Sequence, residues 1–299
     1  MTSETTTKAY AGIFKDNTVA VIDTATNKLL GNIPVPAGPH GLVITPDKRK
    51  VYVSSDGAST VSVIDTATDK VVNSIEVGQA PHGLAITPDG STVLSAVYNT
   101  NQVVFIDTAS NKITGQVAVM KPHNITISPD GRTAYVASQP ADAPALVILD
   151  LATKTQAGSV ALDKDKLPRA LNFSPDGKQI YFTQVNVDAL VVLDPVSKQI
   201  VGQIPVGKSP HHPIFTASGE VALEVSQGPG ELGIINPKNN TVSKTVMVGK
   251  NPHWIALSKD GNTAYVTNEN SNDISVVDVA NAKVITTIPV GNGPRKIVV

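Results

Sequence analysis

The sequence predicts an all-β chain, a seven-bladed β-propeller with four antiparallel strands in each blade. Three observations carry that reading. One stretch of text recurs along the whole length. Each copy consists of short, alternating, β-branched runs bounded by turn residues about every 8–12 positions, the pattern of half-buried strands. No stretch shows the 3.6-residue apolar period of a helix.

The repeat is marked by a Pro followed by His or Arg. The second residues are His40, His82, His123, Arg169, His211, His253 and Arg295, at intervals of 42, 41, 46, 42, 42 and 42 residues. Four strands in about 40–45 residues is the size of a propeller blade. Strand A is the Leu84-Ala85-Ile86 run. In the Pro88-Asp89-Gly90 turn that follows, Pro and the Asp side chain start the turn and Gly takes its left-handed position. Strand B is of the Tyr265–Asn268 kind and strand C of the Val61–Asp65 kind. A polar turn such as Thr66–Lys70 leads into strand D, Val71–Val77.

The seventh copy, Pro294–Val299, holds only strand A. Strand B text opens the chain at Lys8-Ala9-Tyr10, after a polar tail over residues 1–7 that is expected to be disordered. The last blade is therefore expected to form from both ends of the chain, which closes the ring and removes the open sheet edge. A single domain over residues 1–299 follows.

Tyr265-Val266-Thr267-Asn268, the Asp65-Thr66-Ala67-Thr68 type of turn and the Pro81–Gly90 segment give the chain its family resemblance. Over roughly residues 8–299 it resembles the YVTN-type bacterial β-propeller repeat, a relative of WD40-like repeats. The resemblance implies the fold and leaves function open, because one fold hosts many activities.

Most recurrent polar residues read as structural. Asp23, Asp65, Asp107, Asp150, Asp194 and Asp278, with Asn236, end strand C, where an Asx side chain bonds the turn it opens. Asp47, Asp89, Asp130, Asp176 and Asp260 do the same in the A–B turns. Gly41, Gly83 and Ala170 are expected where inner strands pack closely as blades taper.

The Pro-His pairs are different. Strand A lines the central channel, and the pair stands where the loop from the preceding strand D enters it. Equivalent positions therefore form a ring at the channel mouth. His40, His82, His123, His211 and His253 are the expected ligands of a divalent transition metal, since imidazole suits Cu, Zn, Fe and Ni. Arg169 and Arg295 do not ligate, so they are expected to orient an anionic substrate. Repetition by duplication, with each imidazole bonding a loop carbonyl, is the structural alternative.

Departures from the repeat add candidates. Glu224 stands where other blades carry Val53, Ser95, Val136, Phe182, Val266 and Ala11. A carboxylate in that slot is costly unless paired or metal-bound. It is expected to be a metal ligand, a support to a histidine or a general base, with a plain ion pair as the structural reading. His212, beside His211, joins it as a catalytic candidate. Trp254 fills the slot of His212 one blade on and is expected to wall the substrate site. The longer loops over 139–144 and 162–167 lie on the same face as Arg169, the expected binding face.

Composition sets the limits. The 299 residues include no Cys, which excludes disulfides, Cys zinc sites, iron–sulfur clusters and a Cys nucleophile. With 24 Lys and Arg against 25 Asp and Glu, the net charge of −1 argues against nucleic acid. No run of 18 apolar residues marks a membrane span. The N-terminus lacks the features of an intact signal peptide. The expected compartment is thus periplasmic or extracellular if a leader has been removed, and cytoplasmic otherwise. The expected molecule is a monomer that takes a small-molecule ligand. Its expected chemistry is that of a metal-assisted lyase, hydrolase or oxidase. A non-catalytic interaction platform is the main alternative, weakened by an aromatic content of only 4%. A lactone- or sugar-acting propeller hydrolase is a third, disfavoured because the axial ring contains no carboxylate.

Overall fold

Seven four-stranded antiparallel sheets make up the chain, each with its strands in the order A, B, C, D. They are seen in a computed structural model that describes residues 7–299; the expected tail, apart from Thr7, lies outside the described residues. Among the described residues there is no helix, and so none long and apolar enough to cross a membrane.

Blade one runs through Pro39–Ile44, Lys50–Ser55, Thr60–Asp65 and Lys70–Glu76. Blades two to six open with strand A at Pro81, Pro122, Pro168, Pro210 and Pro252. Blade seven joins the two ends of the chain. Its strand A, Pro294–Val298, pairs with Lys8–Ile13, which continues into Thr18–Asp23 and Lys28–Pro34. Each strand A packs against strand A of the next blade, and that of blade seven packs against that of blade one. The seven inner strands thus surround one axis.

Burial follows from this stacking. Strands B and C are covered on both faces by neighbouring blades, so their interiors are buried throughout. Strand D is the outer edge and is mostly exposed. The core is a series of apolar layers between blades, such as Tyr10, Val19, Leu42, Val51 and Ile64 between blades seven and one. Side chains ending strand C bond their turns as expected, for example Ala25 N–H to Asp23 at 2.8 Å and Lys238 N–H to Asn236 at 3.0 Å.

The tyrosine of strand B joins blades. Tyr10 donates to Asp69 at 2.7 Å and Tyr52 to Asn111 at 2.6 Å, while Tyr181 donates to Asn240. Each acceptor sits in the next blade's C–D turn with φ between 52° and 55°. Asn and Asp tolerate that left-handed conformation better than most residues. The same residue therefore shapes the turn and latches the neighbouring blade. Tyr52→Phe is expected to cost about 1 kcal/mol, the net worth of one such bond, and to lower the urea midpoint without changing the m-value.

Candidate functional site

The channel mouth is shaped by a bulge in every blade. In blade one Pro39 pairs with Ser55 and Leu42 with Val53, so His40 and Gly41 together oppose the single residue Ser54. Bulges of this kind re-aim side chains. Here the extra residue frees the ring position from the ladder and turns it towards the axis. Glycine is required next to it in blades one and two. A Cβ on Gly41 would meet the His82 carbonyl, and one on Gly83 the His123 carbonyl.

All five ring histidines converge. Ring centroids are 3.7 Å apart for His40 and His82, 3.9 Å for His82 and His123, and 4.0 Å for His211 and His253. His40 and His253 lie 5.6 Å apart, almost perpendicular, on either side of the Arg295 position. Adjacent rings are tilted over one another by 36–38° rather than aimed at one point. Among the described residues, no group of three or more His, Asp or Glu side chains is arranged to hold a metal ion.

Backbone carbonyls of the ring are contested by two kinds of donor. In blade one the Ser54 hydroxyl donates to the His82 carbonyl at 2.5 Å, and in blade six Thr267 donates to that of Arg295 at 2.5 Å. The Nδ1 atoms of His40 and His253, in those same blades, are buried without a partner. Blades two and three carry Ala96 and Ala137 in the hydroxyl slot. In blade three the Asn124 amide comes between, its Nδ2 3.0 Å from His123 Nδ1 and 3.2 Å from the Arg169 carbonyl, whereas in blade two His82 Nδ1 takes the His123 carbonyl itself at 3.1 Å. With Nδ1 as donor, Nε2 keeps its lone pair. His211, whose blade has Val225 in the hydroxyl slot, also has a buried, unpartnered Nδ1. Burial holds the ring imidazoles below their ordinary pKa, His123 at about 4 and His211 at about 3, and nearby Arg charge pushes the same way. The ring is therefore neutral at pH 7.

The two guanidiniums differ. Arg295 is engaged, with Nη2 3.1 Å from Glu269 and its head 3.6 Å above the Phe14 ring. Arg169 is half-buried and, among the described residues, has no carboxylate within ion-pair distance; burial alone lowers its pKa. The two longer loops lie against it. Gln139 donates to the Pro168 carbonyl at 2.6 Å, and Gln184 to that of Lys166 at 2.9 Å.

His212 and Trp254 belong to the layer beneath the ring. Their rings stack at 3.5 Å, and His212 Nδ1 accepts the Ile255 N–H at 3.3 Å. Glu224 lies in the wall of blade five, 1% exposed, and accepts the Ser226 hydroxyl at 3.0 and 3.1 Å. Gly233, opposite it in strand C, gives the carboxyl its room, since a Cβ there would stand 2.9 Å from Oε1.

Three residues near the axis escaped the sequence reading. Asp56 and Glu269 follow strand B, in the variable slot also held by Phe14, Tyr98 and Gln139. Burial raises the Asp56 carboxyl, and Arg295 partly opposes this. Lys296, buried in the layer beneath the ring, has its ammonium pushed down to about 7 by desolvation. Aligning the residue after each ring position would have found it, because the series reads Gly41, Gly83, Asn124, Ala170, His212, Trp254, Lys296.

Burial raises the Glu224 carboxyl to about 8 from an ordinary 4.5, so the folded protein carries a proton there that the unfolded chain loses. Its penalty is absent below about 4.5 and grows as pH rises towards about 8. Glu224→Gln keeps the shape and removes that penalty. Its melting temperature is expected to match wild type at pH 4 and to exceed it by a few degrees at pH 8, a gain of about 2–4 kcal/mol.

Residues 12–89, from the closing blade into blade two, match the family described as YNCE-like beta-propeller. No curated protein matches by sequence. Among solved structures, the chain is similar to Kuenenia stuttgartiensis hydrazine synthase, at 20% identity over 88% of this chain and 90% of that one, with a TM-score of 0.81. It is similar to the dihydro-heme d1 dehydrogenase NirN in complex with DHE, at 17% identity over 99% and 76%, with a TM-score of 0.71. It is also similar to a putative 6-phosphogluconolactonase from Bacteroides uniformis, at 18% identity over 97% and 98%, with a TM-score of 0.76. At such identities the likeness is one of fold, and the three carry three different activities. The chain is a seven-bladed β-propeller, similar over residues 12–89 to the YNCE-like family.

Proposed function

We propose that the propeller binds one transition-metal ion on the imidazoles at its channel mouth and presents it to a small anionic molecule. The observation that carries this reading is the buried, unpartnered Nδ1 of His40, His211 and His253. Buried polar atoms are nearly always paired, so three orphans in one ring point to a ligand. The imidazoles are already neutral, and an incoming ion has no proton to displace. Cu, Zn, Fe and Ni all suit such donors.

We assign His40 and His253 as the principal ligands, with His211 beside them. His82 holds its Nδ1 on the backbone and offers Nε2, while the Nδ1 of His123 meets the Asn124 amide. Because adjacent rings are tilted over one another, at least one would turn about its side-chain torsions for their nitrogens to share an ion. Held there, an ion would supply Lewis-acid or redox chemistry, as a metal-assisted lyase, hydrolase or oxidase requires. The chain's own part is to carry the ligands on rigid strands and to hold the anion at Arg169. Arg295 is less free for that role, since Glu269 and Phe14 engage it. His212, in the layer beneath the ring, and Glu224, held on Ser226 in the wall of blade five, take no step in this proposal.

The free Arg169 also favours a second reading. In it the ring binds an anion directly, with the guanidinium and imidazole N–H groups as donors.

Untagged protein, loaded with Cu, Zn, Ni or Fe salts and desalted, is expected to retain about one ion per chain by plasma mass spectrometry. A folded His40→Ala/His253→Ala variant is expected to lose it. No retained metal in the wild type removes the metal reading. Titrating metal-free protein with phosphate then tests the second, which expects binding that Arg169→Gln weakens about tenfold.

A further inference from the structure

The channel beneath the histidine ring has a different chemistry. A cavity of about 410 Å³ runs from that ring's underside towards the A–B turn face, with Pro88 at its edge. Its walls are mainly aliphatic, including Ile44, Ile127, Ile214 and Leu257. Its polar side chains are Asn124, Thr126, Asn172, Lys296 and His212, and the last two both pack on Trp254.

Lys296 is 8% exposed and crosses the axis from blade seven to donate to the Leu84 carbonyl of blade two at 3.0 Å. Blade one adds only Gly41 to this layer, which leaves the way open. The ammonium lies 4.6 Å from the Trp254 ring centroid, and Trp254 in turn stacks on His212. Among the described residues no carboxylate pairs with Lys296, and desolvation alone perturbs it. A buried cation without a counter-charge is costly. One carbonyl and an aromatic face leave part of its three-donor capacity unused.

His212 adds a second donor. Its Nδ1 accepts the Ile255 N–H, so the neutral ring carries its proton on Nε2. The inner end therefore offers donors, an anion bound beside Lys296 would hold its amine protonated, and the walls offer apolar surface. At the A–B turn end Lys48, its pKa lowered by burial and further by Lys259, donates to Val299, which lines the cavity. The complement is a small molecule with an anionic head and an apolar body.

We propose that the lower channel is a binding site for small apolar monocarboxylates, with the carboxylate on Lys296 and His212 and the hydrocarbon against the aliphatic walls. The site is separate from the histidine ring and does not depend on a metal there.

Calorimetric titration of the full chain with octanoate tests this, with octanol as the uncharged probe of similar length. Octanoate is expected to bind saturably at one site, and octanol about tenfold or more weaker, the worth of one charge-assisted hydrogen bond. Lys296→Met, which keeps the bulk and removes the charge, is expected to lose octanoate affinity by a similar factor while melting no lower than wild type. The proposal is overturned if octanoate does not bind, if octanol binds equally well, or if folded Lys296→Met binds octanoate as the wild type does. The octanoate–octanol comparison needs no variant, so it decides the matter even where Lys296→Met does not fold.

Discussion

Seven inner strands have to meet around one axis, and the rest of the molecule depends on how that crowding is relieved. Each strand A carries one residue more than its partner at the point of closest approach. The bulge lifts the ring residue out of the ladder and aims it inward. It also pushes the next residue against the neighbouring blade, where Gly41 and Gly83 leave no room for a side chain. The YVTN pattern supports the same arrangement. In Tyr265–Asn268, valine fills the layer between blades and threonine bonds both the bulged Trp254 N–H and the Arg295 carbonyl. Asparagine ties down the following loop through Asp273 and Ser275.

Competition for carbonyls follows from this geometry and gives the ring its uneven chemistry. Where strand B supplies a hydroxyl in blades one and six, the imidazole loses its backbone partner. Where it supplies Ala96, in blade two, His82 takes the carbonyl. In blades one, two and six the strand B residue thus decides whether the histidine on the adjoining strand A is committed to structure or available to a ligand. In blade five, with Val225 in that slot, the Nδ1 of His211 stays unpartnered as well. Duplication alone would have left the five histidines equivalent. They are not, and the difference lies in residues that do not themselves face the channel.

The channel has two ends with opposite characters. The upper end is a stack of neutral imidazoles rimmed by guanidiniums and by the carboxylates Asp56 and Glu269. The lower end is aliphatic, with one uncompensated ammonium at its head. The bulky layer of His212, Trp254 and Lys296 stands between them. A scaffold whose walls are fixed by repeated strands can change the chemistry of either end one residue at a time. This is why similar propellers carry unrelated activities.

The sequence by itself determined the blade number, the four strands per blade, the blade shared between the chain ends and the order of residues around the ring. All are read from periodic spacing, and a repeat of about 42 residues imposes its own geometry on each copy. Turn residues such as Asp23 and Asn236 were legible for the same reason, because their bonds stay within a few residues. Only the tertiary structure decided which imidazole nitrogens are occupied, that the rings overlap instead of pointing at one centre, and that Glu224 rests on Ser226. It alone brought Lys296 to Leu84, 212 positions away, beside Trp254. Such contacts depend on the angle between blades and on which of two donors reaches a carbonyl first. Neither is written in the spacing of any one repeat.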